Sequence, residues 1–375
     1  MRNRDKKWSM IQWWRHIPAR TKAVWLLNPV LWLILVGLYM AVKYPPEKYL
    51  ELLPSGETSY SLNFVESEQA VCNDGSPLAF YAKSAGGDSS EPWLIYLEGG
   101  AACTTVTECQ ERAKLYPHLV SSKDYQPQVQ LSGIFSENPD LNTLFAKANT
   151  IFVPYCSSDH WLGGARHVLA DGSTLHFNGR GNVMALIAEL QKKPPLGYSS
   201  LNTASSLLFV GQSAGGVGVV NLIDTVSKQL PGVTVRGVLE GSYMIDRVGS
   251  VGEFSTDSLS HASDSSLVDF WQPSVDPDCA QARADDPLGC AGQTVMNYVT
   301  SPVFVIQDEN DHFFIDRLSE SEKERFAQVV QAKLATSSAA FISRKGYHSV
   351  LATPDLFTLE ENGKSLLDTL GQWLE

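Results

Sequence analysis

The chain has 375 residues, 43% of them hydrophobic and 19% charged, with a formal net charge of −12. That length and composition suit one large domain of roughly 300 residues with a substantial core. The first 22 residues hold seven Lys/Arg against one Asp, which leaves −18 on the remainder, a poor match for nucleic acid or for an anionic membrane surface.

Residues 23–42 read AVWLLNPVLWLILVGLYMAV, without a charge. Such a run is long enough to cross a bilayer core of about 30 Å. Arg2, Arg4, Lys6, Lys7, Arg15, Arg20 and Lys22 precede it. This predicts a basic cytoplasmic tail over 1–22 and a transmembrane signal anchor over 23–42 that sends the rest across the membrane. No A-x-A cleavage site follows, so the anchor is expected to be retained. Residues 43–59 include Pro45, Pro46 and Pro54 and read as a stalk; 60–375 form the exported domain.

Within that domain apolar runs predict strands at 93–97, 150–155, 207–210, 235–240, 303–307 and 339–343. Helical spacing marks 182–190 and 217–226. Strands alternating with helices indicate an α/β fold with a mostly parallel sheet covered on both faces. Residues 252–300 are polar, hold two cysteines and lack a strand rhythm. They read as an insertion or lid over the carboxyl end of the sheet, where such folds keep their sites.

All six cysteines follow the apolar segment, and an even number in an exported domain suggests disulfides. Proximity favours Cys103–Cys109 and Cys279–Cys290, which leaves Cys72–Cys156. There is no C-x-x-C pair and no histidine cluster beside the cysteines, so no zinc site and no cofactor are expected. The absence of an N-x-S/T acceptor fits a bacterial periplasmic or cell-surface setting.

The strand at 207–210 runs straight into Gly211-Gln212-Ser213-Ala214-Gly215-Gly216. A strand, a G-x-S-x-G turn and then a helix form the context of a nucleophile elbow. A serine nucleophile needs a base, and the base an orienting acid. Only His261, His312 and His348 follow Ser213. His348 is best placed, on a short loop after the strand at 339–343. The loop after 303–307 offers Asp308, Glu309 and Asp311, among which spacing does not choose. The small-residue run Gly99-Gly100-Ala101-Ala102 after the strand at 93–97 suits an oxyanion loop, together with the N–H of Ala214.

Several segments together resemble the pectin acetylesterase/Notum family. They are Cys72 to Pro77 (CNDGSP), Leu97-Glu98-Gly99-Gly100 with Cys103 and Cys109, Phe152 to Asp159 (FVPYCSSD) with Trp161 and Gly163, Gly211 to Gly216 with Gly218, Pro302 to Gln307, and His348. The resemblance runs from about Cys72 to His348. It implies an α/β-hydrolase fold and a metal-free serine carboxylesterase with Ser213 as nucleophile, His348 as base and Asp311 as acid. It further implies oxyanion donors at Gly100, Ala101 and Ala214, and the disulfide pairing already favoured by proximity. The chain departs from the family at Ala101, where a large aromatic is common, and in the wording of the acid loop, Asp311-His312-Phe313-Phe314. The expected substrates are O-acyl esters, foremost O-acetyl groups on a polysaccharide. A longer acyl ester of the Notum type is the alternative. A catalytically inactive binding module on the same fold is the reading from another class.

Overall fold

The computed structural model describes residues 57–83, 91–245, 264–316 and 318–375. The chain divides into units 1–55 and 56–375, so the expected tail, the apolar segment 23–42 and most of the stalk lie outside the described residues. No helix among the described residues is long and apolar enough to cross a membrane.

Besides a short pair at Glu360–Glu361 and Lys364–Ser365, the described residues of the second unit hold eleven strands: β1 (Thr58–Phe64), β2 (Ala79–Lys83), β3 (Trp93–Leu97), β4 (Gln128–Leu131), β5 (Asn149–Val153), the hairpin pair β6 (Arg166–Val168) and β7 (Thr174–His176), β8 (Ser206–Gln212), β9 (Thr234–Glu240), β10 (Val303–Asp308) and β11 (Ala340–Ser343). Nine of them form one sheet in the order β11-β10-β9-β8-β3-β5-β2-β1-β4. From β11 to β5 all neighbours run parallel; β5–β2, β2–β1 and β1–β4 are antiparallel.

The central strand β3 shows why its sequence is continuously apolar. Trp93, Ile95 and Leu97 enter a core shared with helices α2 (Gly179–Lys192) and α3 (Ala214–Gln229), whereas α1 (Val106–Leu115) contributes only Cys109 there. Leu94 and Tyr96 enter the opposite core, with Phe135, Phe304, Leu366 and Leu370. A strand buried on both faces cannot alternate with polar residues.

The predicted strands and helices fall on observed elements, with ends displaced by up to three residues. The sheet also has an antiparallel flank, β2-β1-β4, that the sequence reading did not include. β1 (TSYSLNF) mixes serines and asparagine into its run, and β4 (QVQL) is partly exposed, so neither carries a strong apolar signal.

The described part of 252–300 has no strand. It contains α4 (Asp264–Trp271), α5 (Pro277–Ala282) and α6 (Gly292–Val295). Trp271, Cys279, Leu288 and Val295 are buried in the main core, and the Trp271 indole N–H donates to the Cys103 carbonyl at 2.8 Å. Residues 246–263 lie outside the described residues. The six cysteines form Cys72–Cys156, Cys103–Cys109 and Cys279–Cys290.

Candidate active site

Ser213 sits between the end of β8 and the first turn of α3 with φ +52° and ψ −118°. A non-glycine residue rarely adopts that backbone without support from its surroundings. The support here is steric. A Cβ on Gly211 would lie 2.2 Å from the Gly215 carbonyl oxygen, and one on Gly215 would lie 2.0 Å from the Leu97 carbonyl oxygen. Only glycine lets strand, turn and helix approach so closely. The Ser213 N–H donates to the Glu240 carbonyl at 2.8 Å. Ala214 opens α3, so its N–H is one of the helix-start donors without an intrahelical partner.

The loop after β3 abuts this turn. A Cβ on Gly99 would lie 2.5 Å from the Gln212 carbonyl oxygen and 2.7 Å from Ser213 Cβ. Gly100 and Ala101 both have positive φ, +147° and +56°. The loop is braced from behind by residues 155–161. Cys103 N–H donates to the Ser158 carbonyl at 3.2 Å, and the Trp161 indole donates to the Glu98 carbonyl at 3.0 Å. Ser158, His160 and Trp161 all have positive φ. The buried Asp159 carboxylate holds that segment, accepting from Ser157 Oγ and from the N–H groups of Trp161, Gly163 and Gly179. Burial nevertheless raises the Asp159 pKa to about 6.

His348 and Asp311 come together opposite the serine. Asp311 is fully buried and faces His348 Nδ1 at 2.8 and 3.0 Å. The carboxylate fixes the tautomer with the proton on Nδ1, which leaves Nε2 free to accept. Asp311 also accepts from the Phe313 N–H at 2.9 Å. Burial raises its pKa, and the hydrogen bond from His348 opposes that rise. The Phe313 ring stacks on the imidazole, with centroids 4.4 Å apart.

The two other carboxylates of the acid loop serve elsewhere. Asp308 is buried, and its Oδ2 accepts from Ser343 Oγ and from the N–H groups of Lys345, Gly346 and Tyr347. It shapes the loop that carries His348. Glu309 pairs with Arg344 at 2.8 Å. His312 is exposed and pairs with Asp316, and His261 lies outside the described residues.

Ser213 and His348 line one cleft of about 430 Å³, together with Glu98, Gly100, Ala101, Arg112, Leu119 and Phe313. Its rim is open, because Tyr116 and Phe313 are 51% and 42% exposed. Glu98 gives the cleft an ionisable wall. Burial pushes its pKa up to about 7, against the Tyr155 N–H and the charge of Arg112. Among the described residues no group of three or more His, Cys, Asp or Glu is placed to hold a metal ion.

The sequence reading did not single out Glu98, Arg112, Asp159 or Glu240 for the site. Glu98 and Glu240, like Asp308, share a legible signal: each is an acid placed at the carboxyl end of an apolar parallel strand, on the edge where sites of this architecture gather.

The model of the pectinacetylesterase family matches residues 54–347. The chain belongs to the pectinacetylesterase family. Members of this family are carboxylic ester hydrolases. The chain is similar to the palmitoleoyl-protein carboxylesterase notum1' of Xenopus laevis, at 29% identity over 334 residues, covering 83% of this chain and 66% of that protein. It is also similar to palmitoleoyl-protein carboxylesterase NOTUM of Mus musculus, at 31% identity over 256 residues, covering 66% of this chain and 49% of that one. The chain thus spans between half and two thirds of the length of these relatives. The crystal structure of the Wnt deacylase Notum from Drosophila superposes with a TM-score of 0.72 and 26% identity, covering 84% of this chain and 92% of that chain. This pectinacetylesterase-family chain therefore has a Notum-like α/β-hydrolase fold with a mostly parallel sheet.

Proposed function

We propose that the protein is an exported serine carboxylesterase that uses Ser213, His348 and Asp311. The observation that carries the reading is the His348–Asp311 pair in one cleft with a serine held at a positive-φ strand-to-helix turn. His348 Nε2 takes the Ser213 proton as Oγ attacks the ester carbonyl. The N–H groups of Gly100, Ala101 and Ala214 receive the oxyanion, each contributing about 2.7–4 kcal/mol to lowering the barrier. His348 returns the proton to the departing alcohol. Water then attacks the acyl-enzyme with the same base, releasing the acid and restoring Ser213.

The cleft favours a short acyl group on a bulky polar alcohol. It is open at the rim, and it carries Glu98 and Arg112 beside the serine. A long chain would leave much of its apolar surface in water, losing about 0.8 kcal/mol per unburied methylene. O-acetyl groups on a polysaccharide fit this description. The second reading, a longer acyl ester, is favoured by the names of the similar proteins and by the apolar wall of Leu119, Tyr116 and Phe313. Three disulfides suit an oxidising compartment, periplasmic or cell-surface. The uncharged run at 23–42 is the proposed membrane anchor, retained after export.

The test is hydrolysis of nitrophenyl esters from acetyl to dodecanoyl by the detergent-solubilised full chain, with Ser213→Ala alongside. Turnover confined to short esters and lost in the mutant supports the deacetylase. A preference for long chains moves the reading to a lipid-ester hydrolase. No turnover, and no labelling of Ser213 by an active-serine phosphonate, leaves an inactive binding module.

A further inference from the structure

His348 has a second acidic neighbour. Glu240 ends β9 and is 2% exposed. Its Oε1 accepts from the N–H groups of Val350 and Leu351 at 2.5 and 2.7 Å, and its Oε2 accepts from the Tyr96 hydroxyl at 3.2 Å and from Ser349 Oγ at 3.5 Å. Three of these four donors lie on the loop immediately after His348. The residue's own carbonyl accepts the Ser213 N–H. Next to it, Gly241 has φ +58°, and a Cβ there would lie 2.5 Å from the His348 carbonyl oxygen and 3.1 Å from Nδ1. Glu240 and His348 also line one small crevice. A single residue thus links the backbone of the serine to the loop of the histidine.

We propose that Glu240 is a positioning residue, a second buried carboxylate that fixes the His348 loop and stabilises the imidazolium formed while the serine proton is held. The idea rests on the triad reading above. A structural carboxylate would need only the hydrogen bonds. A carboxylate that also acts electrostatically must be charged, and its charge must be felt at the ring. Burial raises the Glu240 pKa, and the bonds from Val350, Leu351 and Tyr96, with the charge of His348 when protonated, pull it back. The other groups facing this pair are Asp311 on the acid loop, Asp308 on β10 with its four Oδ2 donors, Tyr96 on β3, Tyr347 beside the histidine, and Glu98 and Arg112 across the cleft. None of these sits on β9, so a change at Glu240 alters one charge alone.

Glu240→Gln separates charge from shape. The amide oxygen can accept from both Val350 and Leu351, while the charge is gone. The readout is the titration midpoint of His348 in the full chain, followed by NMR of ¹³Cε1-labelled histidine and assigned by difference against His348→Gln. An opposite charge nearby favours the protonated ring. The midpoint should therefore fall by about one pH unit in Glu240→Gln. Glu240→Asp draws the carboxylate back by one methylene and should move it the same way by less. In turnover, kcat should fall about tenfold with KM unchanged, and the acid limb of kcat/KM should shift to lower pH in step with the midpoint. An unchanged midpoint in whichever variant folds, even with a lowered Tm, overturns the proposal. The NMR readout needs no substrate, so failure of the esterase reading and failure of this inference are told apart.

Discussion

The two sides of the cleft are held in place by different physics. On the serine side, position is steric: Gly99, Gly211 and Gly215 permit approaches that any Cβ would block, and positive φ at Gly100, Ala101 and Ser213 fixes the direction of the donors. On the histidine side, position is electrostatic: Asp308 gathers three consecutive N–H groups, Glu240 gathers two more, and Asp311 holds the ring. The steric contacts of the serine turn do not respond to pH, although the Asp159 carboxylate behind its neighbouring loop can, whereas a histidine side built on carboxylates does. The serine half should therefore fail by deformation and the histidine half by loss of charge.

Four measurements test that contrast. The largest effect is expected for Asp311→Asn, which exchanges the acceptor-only carboxylate for an amide whose NH2 can donate to the ring and favour the wrong His348 tautomer; kcat should drop about 10⁴-fold with the fold retained. Equal activity in that variant, with the loss seen instead in Asp308→Asn, would transfer the role to Asp308. Next, Gly99→Ala should push the oxyanion loop off the Ser213 turn and lower kcat about 10²–10³-fold, equally at every pH tested. A pH-dependent loss would contradict the steric account.

Asp308→Asn should be milder in activity and visible in stability. Weakening the bonds to Ser343 and to the 345–347 amides should cost about 1–3 kcal/mol, read as a Tm lowered by several degrees in thermal unfolding. The smallest effect concerns Glu98. Its folded pKa, about 7, lies above the reference value of 4.5, so the folded protein holds this proton more tightly than the unfolded chain does. The stabilisation tied to it is complete below pH 4.5 and is lost as pH rises through 7. In Glu98→Gln the decline of Tm across that window should flatten, and an unchanged slope would remove Glu98 as its source.

The same contrast explains how much could be read beforehand. The serine side is local in sequence. Leu207 to Gly216 contains strand, turn and helix start in one stretch, and Leu97 to Cys103 contains its loop, so both could be found by pattern. The histidine side is assembled from β9, β10 and the loops after β10 and β11, segments 35 to over 100 residues apart. Spacing left Asp308, Glu309 and Asp311 equivalent, because what separates them is which backbone amides fold back onto each. Glu240 looked like the last residue of a strand, since its partners Val350 and Leu351 lie 110 residues on. The parallel strands were legible because burial on both faces makes the central ones, such as β3 and most of β8 and β10, largely apolar. The antiparallel flank was not, because its outer strands are only partly covered.

Two of the three disulfides have a consequence for timing. Cys103 directly follows the Gly100–Ala102 run, and Cys156 directly precedes the Ser157–Trp161 brace. Neither bond joins the ends of the sheet. A newly made chain with its thiols still reduced could form the strands and present Ser213, but its oxyanion donors would lack their clamp. On the proposed oxyanion roles, oxidation then bears on activity as well as on stability, since Cys72–Cys156 also closes a loop with a sequence separation of 84.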